Sequence, residues 1–196
     1  MYAMNDKKQQ NTSKNKRANT ANTAKECAYL AVFVALVIAA QAVFAFVPGV
    51  EIVTVLFIAY AFVFGWGRGM VAATAFSLLR QMLFGLSPNV LVLYLVYFNF
   101  LTAVFGLLGK AIKRPVLFLP IIILCGCVCT AGFTLFDDFL TPLWYGYSAR
   151  ATNAYFYASL PVMFSQILCT AATVGGLFLP LRSAFTFVKK SLTRSH

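Results

Sequence analysis

Long apolar runs recur along this sequence, and only short polar segments separate most of them. Several runs exceed the ~18 residues that indicate a helix crossing a lipid bilayer. Hydrophobic residues make up 61% of the chain and charged residues 11%, against roughly 25% charged residues in an average soluble domain. We therefore predict an all-α polytopic membrane protein, with no soluble domain large enough to carry separate chemistry.

Six transmembrane helices fit the apolar runs, at about 27–46, 50–64, 69–86, 89–108, 115–136 and 159–181. Together they form a predicted six-helix membrane domain over residues 26–185. Residues 1–25 form a polar, basic segment that cannot bury enough apolar surface to offset its ordering entropy, so we predict a disordered cytoplasmic tail. Residues 186–196 form a basic C-terminal tail on the same side.

The lysine and arginine residues lie mainly in four short polar segments: the N-terminal tail, the turns after spans two and four, and the C-terminal segment. With six spans, all four segments fall on one side of the membrane, which the positive-inside rule makes cytoplasmic. Both termini are therefore predicted to be cytoplasmic. The same distribution accounts for the net charge of +11, and it favours a membrane-proximal tail over an arm that binds nucleic acid.

The opposite side carries the one long predicted connection, residues 137–158, which is rich in Trp, Tyr and Phe. Long connections in compact proteins are often lids or binding loops, whereas Trp and Tyr also concentrate at the membrane interface. The sequence leaves both interpretations open, a lid over a binding site and an interfacial aromatic belt. The candidate ligand contacts in this segment are Trp144, Arg150 and Asn153.

A single carboxylate marks the turn between the first two spans. Pro48 lacks the N–H that a continuing helix needs and Gly49 permits a tight turn, so the chain is predicted to reverse here. Glu51 follows as one of only five acidic residues. An ionisable group at the edge of the hydrocarbon is costly unless it is paired, solvated or used. We interpret Glu51 as the mouth of a ligand pocket.

Arg80 is the second unusual charge, because it lies ~18 Å beyond Arg68 along a span that crosses a core of ~30 Å. An arginine at this depth must face protein or water and needs a partner, for which Glu51 is the candidate. We interpret Arg80 as part of a pocket; the alternative is an ion pair that only fixes the helices. Polar or aromatic side chains on other spans are expected to converge at similar depth and to complete the candidate site: Asn89, Tyr94, Asn99 and Gln166.

Small residues recur every four positions in the first span, where Ala31, Ala35 and Ala39 share one helical face. Small side chains allow another helix to approach closely, which drives packing in lipid. An intramolecular contact would use this stripe within the bundle, whereas an outward-facing stripe would dock a partner subunit.

Catalytic motifs are missing from the sequence, which has no H-E-x-x-H or G-x-S-x-G and whose only histidine is His196. Cys125 and Cys129 would share a helical face while Cys127 points away, so no metal cage is expected. The nearest approach to a phosphate-binding loop, residues 106–110, has the wrong spacing. We expect no enzyme, no resident cofactor or metal, and no ATP hydrolysis by this chain.

Residues 28–181 resemble the substrate-binding S components of energy-coupling factor (ECF) transporters, the bacterial vitamin importers. The resemblance lies in the chain size, the six spans, the alanine stripe and four short motifs: F-V-P-G-V-E-I, V-F-G-W-G-R-G, G-L-S-P-N and F-G-L-L-G-K. It implies a location in the bacterial cytoplasmic membrane. It also implies that the alanine stripe faces a membrane-embedded T subunit, which in turn binds two ATP-hydrolysing cassette subunits.

The resemblance further implies a ligand site open to the outside, formed by the extracellular turns and the outer halves of spans four to six. Residues brought into this site are Glu51, Asn89, Tyr94, Trp144, Arg150, Asn153 and Gln166. Their mixture of acids, amides and rings suits a flat polar heterocycle, such as a vitamin, its precursor or a modified nucleobase. The alternative is a self-sufficient proton-coupled carrier of a small organic solute; a membrane enzyme or assembly factor is the third and least favoured class.

Overall fold

The computed structural model describes residues 2–44 and 52–194, with side chains described over 23–44 and 52–192. Six α-helices account for nearly all of these residues, and the described ranges contain no strand. The all-α prediction is therefore confirmed. The helices are α1 Tyr2–Phe44, α2 Val53–Phe64, α3 Trp66–Phe84, α4 Pro88–Ala111, α5 Leu119–Tyr145 and α6 Ala149–Arg194.

Four helical stretches are long and apolar enough to cross a membrane: Thr23–Phe44, Pro88–Ala111, Leu119–Tyr145 and Ala149–Leu192. They indicate a membrane protein, as the composition predicts. The helix α2 has only 12 residues, which is about 18 Å against a hydrocarbon core of about 30 Å. The helix α3 carries Arg68 and Arg80 and is not among the four. A count of six spans with both termini in the cytoplasm stays a prediction.

The short helix α2 lies at the centre of the bundle. Every side chain from Thr54 to Phe62 is buried, and all five other helices contact this helix. The ring of Phe57 packs against Phe33, Phe76 and Phe98, with ring centroids 4.8–5.5 Å apart. An apolar helix that is enclosed on all sides needs no polar face, which explains why α2 is hydrophobic around its whole circumference.

Two glycines of α4 allow the backbones of neighbouring elements to approach closely. A Cβ atom at Gly109 would lie 2.2 Å from the carbonyl oxygen of Phe62, and one at Gly106 would lie 2.3 Å from the backbone nitrogen of Trp66. No side chain fits at either position. The motif F-G-L-L-G-K therefore has a packing role, since it seats α4 against the end of α2 and the turn into α3.

Contacts at the two ends of the bundle show how the helices alternate in direction. At one end Arg68 forms an ion pair with Glu26 at 2.5 Å, and the Lys189 amine donates to the Val63 carbonyl at 2.5 Å. At the other end the Tyr145 hydroxyl donates to Asn89 Oδ1 at 3.4 Å. The α1 residues near Glu26 and the last turns of α6 near Lys189 therefore lie at the same end of the bundle as the α2–α3 turn.

The prediction of a long external loop over residues 137–158 is wrong. The helix α5 continues to Tyr145, α6 begins at Ala149, and only residues 146–148 connect them. Gly146 ends α5 in the left-handed conformation, with φ of +64°, and its N–H donates to the Pro142 carbonyl, as is common where a helix terminates. Two polar side chains of this stretch, Asp137 and Asp138, lie within the helix and find partners on α6, at Tyr155 and Ser159.

The predicted tail also differs in its secondary structure. The helix α1 begins at Tyr2, so residues 2–25 continue it as helix and residue 25 is not a break in secondary structure. The disorder expected from their polar composition stays a prediction. The turn predicted at Pro48 and Gly49 lies outside the described residues, and so does Glu51 with its predicted pairing to Arg80.

Candidate functional site

Polar side chains meet between α5 and α6, in the half of the bundle that ends at their connection. Asp137 and Asp138 lie on α5 about 10–12 Å before its last residue, Tyr145. Asp137 accepts hydrogen bonds through Oδ1 from the Thr141 hydroxyl at 2.7 Å and through Oδ2 from the Tyr155 hydroxyl at 2.9 Å. Asp138 Oδ2 accepts one from the Ser159 hydroxyl at 2.6 Å. Two adjacent carboxylates therefore reach α6 side by side.

Asp137, Tyr155 and Ser159 line a cavity of about 260 Å³, whereas Asp138 lies behind Ser159 and outside the lining. Its polar wall consists of Thr134, Asp137, Tyr155, Ser159 and Gln166, and its apolar wall consists of Phe133, Ala158 and Val162. Across the cavity the Thr134 hydroxyl donates to Gln166 Oε1 at 2.9 Å. The cavity thus combines carboxylate, hydroxyl and amide groups with two aromatic rings, a mixture that suits a small polar ligand.

Asp138, beside the cavity, is a buried carboxylate with one oxygen that no described residue satisfies. Its side chain is only 6% exposed, and its Oδ1 is buried without a hydrogen-bond partner among the described residues. Neither Asp138 nor Asp137 forms an ion pair within the described ranges, and none of the residues that line the cavity is basic. Because an ionised carboxylate in a weakly polar environment is costly without a partner, this arrangement leaves a place for a cation or a proton.

Arg80 packs against the same region through an aromatic side chain. Its guanidinium carbon lies 4.1 Å from the centre of the Tyr94 ring and 5.5 Å from that of Phe84. The Tyr94 hydroxyl accepts a hydrogen bond from Gln41 Nε2 at 3.3 Å. The Tyr94 ring meets the edge of Phe133, with centroids 5.8 Å apart. Since Phe133 lines the cavity, Arg80 and Tyr94 support its wall rather than line it.

The amides of α4 connect helices instead of lining the cavity. Asn99 Nδ2 donates to Thr74 Oγ1 at 3.2 Å and to the Leu95 carbonyl at 2.7 Å, which ties α4 to α3. Asn89 is buried and accepts from the Tyr145 hydroxyl, which ties the start of α4 to the end of α5.

Three other residues predicted for the site lie on its outside. Trp144 is 50% exposed, and Arg150 and Asn153 are exposed on the first turns of α6. None of them lines the cavity. Of the sequence-predicted set, Gln166 alone lines the cavity, Tyr94 and Arg80 lie behind its wall, and Glu51 lies outside the described residues.

The two carboxylates were missed as site residues because the stretch beginning at 137 was interpreted as an external loop. A signal was present, since Thr134, Asp138, Thr141 and Pro142 follow one another at helical spacing and are all buried. A four-residue spacing between Asp137 and Thr141 also suits a hydrogen bond within a helix. Tyr155 and Ser159 could be found only from the pairing of α5 with α6.

A second, larger cavity of about 530 Å³ lies between α4 and α5. Its lining is apolar or weakly polar, with aliphatic and aromatic side chains, one glycine, Tyr97 and two cysteines, and it contains no charged residue. It therefore offers shape but little to fix the orientation of a polar molecule. The smaller cavity between α5 and α6 is the better candidate for specific recognition.

The alanine stripe faces away from the bundle. Ala31, Ala35 and Ala39 are exposed, whereas Phe33 and Val37 on the opposite face are buried against the other helices. No other helix of the described chain covers this face, so its small side chains are accessible to a partner.

Searches against models of protein families, against curated proteins and against solved structures return no match to this chain. The site is therefore interpreted from its own chemistry.

Proposed function

We propose that this chain is a substrate-binding subunit of an ECF-type importer, embedded in the bacterial cytoplasmic membrane and without catalytic activity of its own. The observation that carries the proposal is the 260 Å³ cavity with five polar lining residues between two membrane-length helices. A small molecule that forms hydrogen bonds, such as a vitamin or a modified nucleobase, fits the volume and chemistry of this cavity.

The exposed alanine stripe supports the second half of the proposal. A receptor with no means of hydrolysing ATP has to pass its ligand to an energised partner, and a face of small side chains is suited to close helix packing in lipid. We propose that Ala31, Ala35 and Ala39 dock a T subunit, through which two ATP-binding cassette subunits act.

The experiment compares the wild-type chain with Ala35→Leu and with a matched control, Ala172→Leu, on an exposed position of α6. Each variant is co-expressed with the membrane and ATPase subunits of an ECF transporter and purified through a tag on the chain. We expect Ala35→Leu to lose the T subunit and Ala172→Leu to retain it. Unchanged association of Ala35→Leu would show that the docking face is wrong, and native mass spectrometry of the same samples tests for a retained ligand.

A second candidate function rests on Asp138. A buried carboxylate with one unpartnered oxygen is also what a proton-coupled carrier of a small organic solute needs. Uptake of a solute by vesicles that contain this chain alone, abolished by a protonophore, would establish the carrier and remove the binding-subunit proposal.

A further inference from the structure

We propose that the group recognised in the α5–α6 cavity is a planar, positively charged nitrogen group, such as an amidinium or a protonated heterocycle, which Asp137 binds at the cavity wall while Asp138 adds its negative charge from behind Ser159. This inference rests on the proposed function and names the chemical class of its ligand.

The charge of the site is the first argument. Two carboxylates lie at adjacent positions of α5, one half-buried and one 6% exposed. Their partners within the described residues are the neutral hydroxyls of Thr141, Tyr155 and Ser159. Hydroxyl donors stabilise an anion but do not neutralise it, so a cationic ligand would remove the electrostatic cost that the free site carries.

The second argument is the unused hydrogen-bonding capacity. Asp138 does not line the cavity, but its Oδ2 is held by Ser159, whose side chain does, and its Oδ1 is buried without a partner in the described part of the chain. Each carboxylate oxygen can accept two hydrogen bonds, so Asp137 also has capacity left. An amidinium presents two N–H groups in one plane and can bond the Asp137 carboxylate with both.

The third argument is the shape of the walls. Phe133 and Tyr155 line the cavity and provide two aromatic rings next to the carboxylates. Aromatic faces attract a cation and stack on a flat group. A volume of about 260 Å³ corresponds to roughly nine waters at about 30 Å³ each, which is room for a single-ring compound. A metal ion is less suited, because the described residues contain no group of three or more His, Cys, Asp and Glu side chains that could hold one.

The test uses three probes of nearly the same shape and different charge: benzamidine, which is cationic, benzamide, which is neutral, and benzoate, which is anionic. The full chain is purified in detergent, and the melting temperature is measured at millimolar probe concentrations and constant ionic strength. We expect benzamidine alone to raise it. In titration calorimetry we expect Asp137→Asn to weaken benzamidine binding by about 10-fold or more, as the loss of a charged hydrogen-bond acceptor predicts.

Two further variants keep the test decisive. Asp138→Asn changes the buried carboxylate behind Ser159, and we expect a smaller loss of benzamidine binding there, because it removes a nearby charge and no direct contact. Glu26→Gln changes a carboxylate at the opposite end of the bundle and should leave binding unchanged. An equal loss in Glu26→Gln would show that the effect is general charge, which overturns the proposal.

The remaining outcomes of this experiment also distinguish the cationic-ligand proposal from its alternatives. Equal binding of benzamide and benzamidine would show a site for neutral ligands, and a stabilisation by sodium over choline that Asp138→Asn abolishes would show a metal-ion site; either overturns the proposal. No response to benzamidine in a protein that retains an uncharged ligand overturns the cation but leaves the proposed function intact. Benzamidine binding that depends on the aspartates, in a chain that never associates with a T subunit, would support the cationic ligand and contradict the proposed function.

Discussion

Two regions of this bundle pack by different means. Around α2, rings interlock without hydrogen bonds: Phe57 meets Phe33, Phe76 and Phe98, and each of these four side chains is less than 5% exposed. Between α5 and α6 the contact is a row of side-chain hydrogen bonds along the two helices, which we call the polar seam. Its pairs are Thr130–Thr170, Thr134–Gln166, Asp138–Ser159 and Asp137–Tyr155.

The difference separates a scaffold from a site that can change partners. In lipid the hydrophobic effect does not drive helices together, so the α2 region depends on shape and close packing. Hydrogen bonds of the polar seam can instead be exchanged for equivalent bonds to a ligand, since a side-chain hydrogen bond within a membrane bundle contributes only about 0.6–2 kcal/mol. We expect substitutions around α2 to change stability and substitutions in the outer half of the seam to change binding.

The largest effect is expected where α4 touches α2. Gly109→Ala would place a Cβ 2.2 Å from the Phe62 carbonyl oxygen, and because neither backbone can move freely we expect a loss of about 3 kcal/mol or a failure to fold. The control is Gly132→Ala on α5, where a Cβ meets nothing within 4 Å and helix propensity predicts a gain of up to about 1 kcal/mol. Unfolding in detergent measures both, and equal effects would remove the distinction between the two regions.

An intermediate effect is expected where the two regions meet. Arg80 stacks on Tyr94, and Tyr94 contacts Phe133 at the cavity wall. We expect Arg80→Met and Tyr94→Leu each to destabilise the chain, with a coupling of about 1 kcal/mol in a double-mutant cycle, as a partly desolvated cation–π pair predicts.

Tyr94→Phe serves as the control for this pair. It removes the hydroxyl that accepts from Gln41 but keeps the ring, so the coupling with Arg80 should persist. If the coupling with Arg80 is lost in Tyr94→Phe, and Glu51→Gln shows a coupling with Arg80 instead, the arginine belongs to an ion pair and not to the aromatic stack.

The sequence predicts the apolar helices well because hydrophobic run length is a local property. The predicted fourth span at 89–108 matches α4, Pro88–Ala111, to within a few residues. The sequence-based prediction fails at 137–158, because polar residues in a membrane protein normally indicate a loop. Whether such a residue is tolerated in a helix depends on a partner elsewhere, and Asp138 finds Ser159 only through the antiparallel pairing of α5 and α6.

The candidate site shows the same limit. Gln166 was predicted from its depth in the sixth span, and it does line the cavity. Asn99, chosen by the same argument, faces Thr74 on α3. Depth along a helix is readable from the sequence, whereas rotation of the helix about its axis depends on packing. The carboxylates of Asp137 and Asp138 could not be recognised as site residues from the sequence, since their burial is a tertiary property.

The smallest effect tests the buried part of the polar seam, away from the cavity. The hydroxyls of Thr130 and Thr170 lie 2.9 Å apart, and both residues are fully buried. Thr130→Val or Thr170→Val alone should cost about 1 kcal/mol, because the remaining hydroxyl loses its partner. The double variant should recover most of this loss, since two apolar side chains of similar shape leave nothing unsatisfied, and its binding of benzamidine should match that of the wild type. A change in benzamidine affinity would mean that the seam acts as one unit with the cavity, whereas unchanged affinity confines recognition to its outer half.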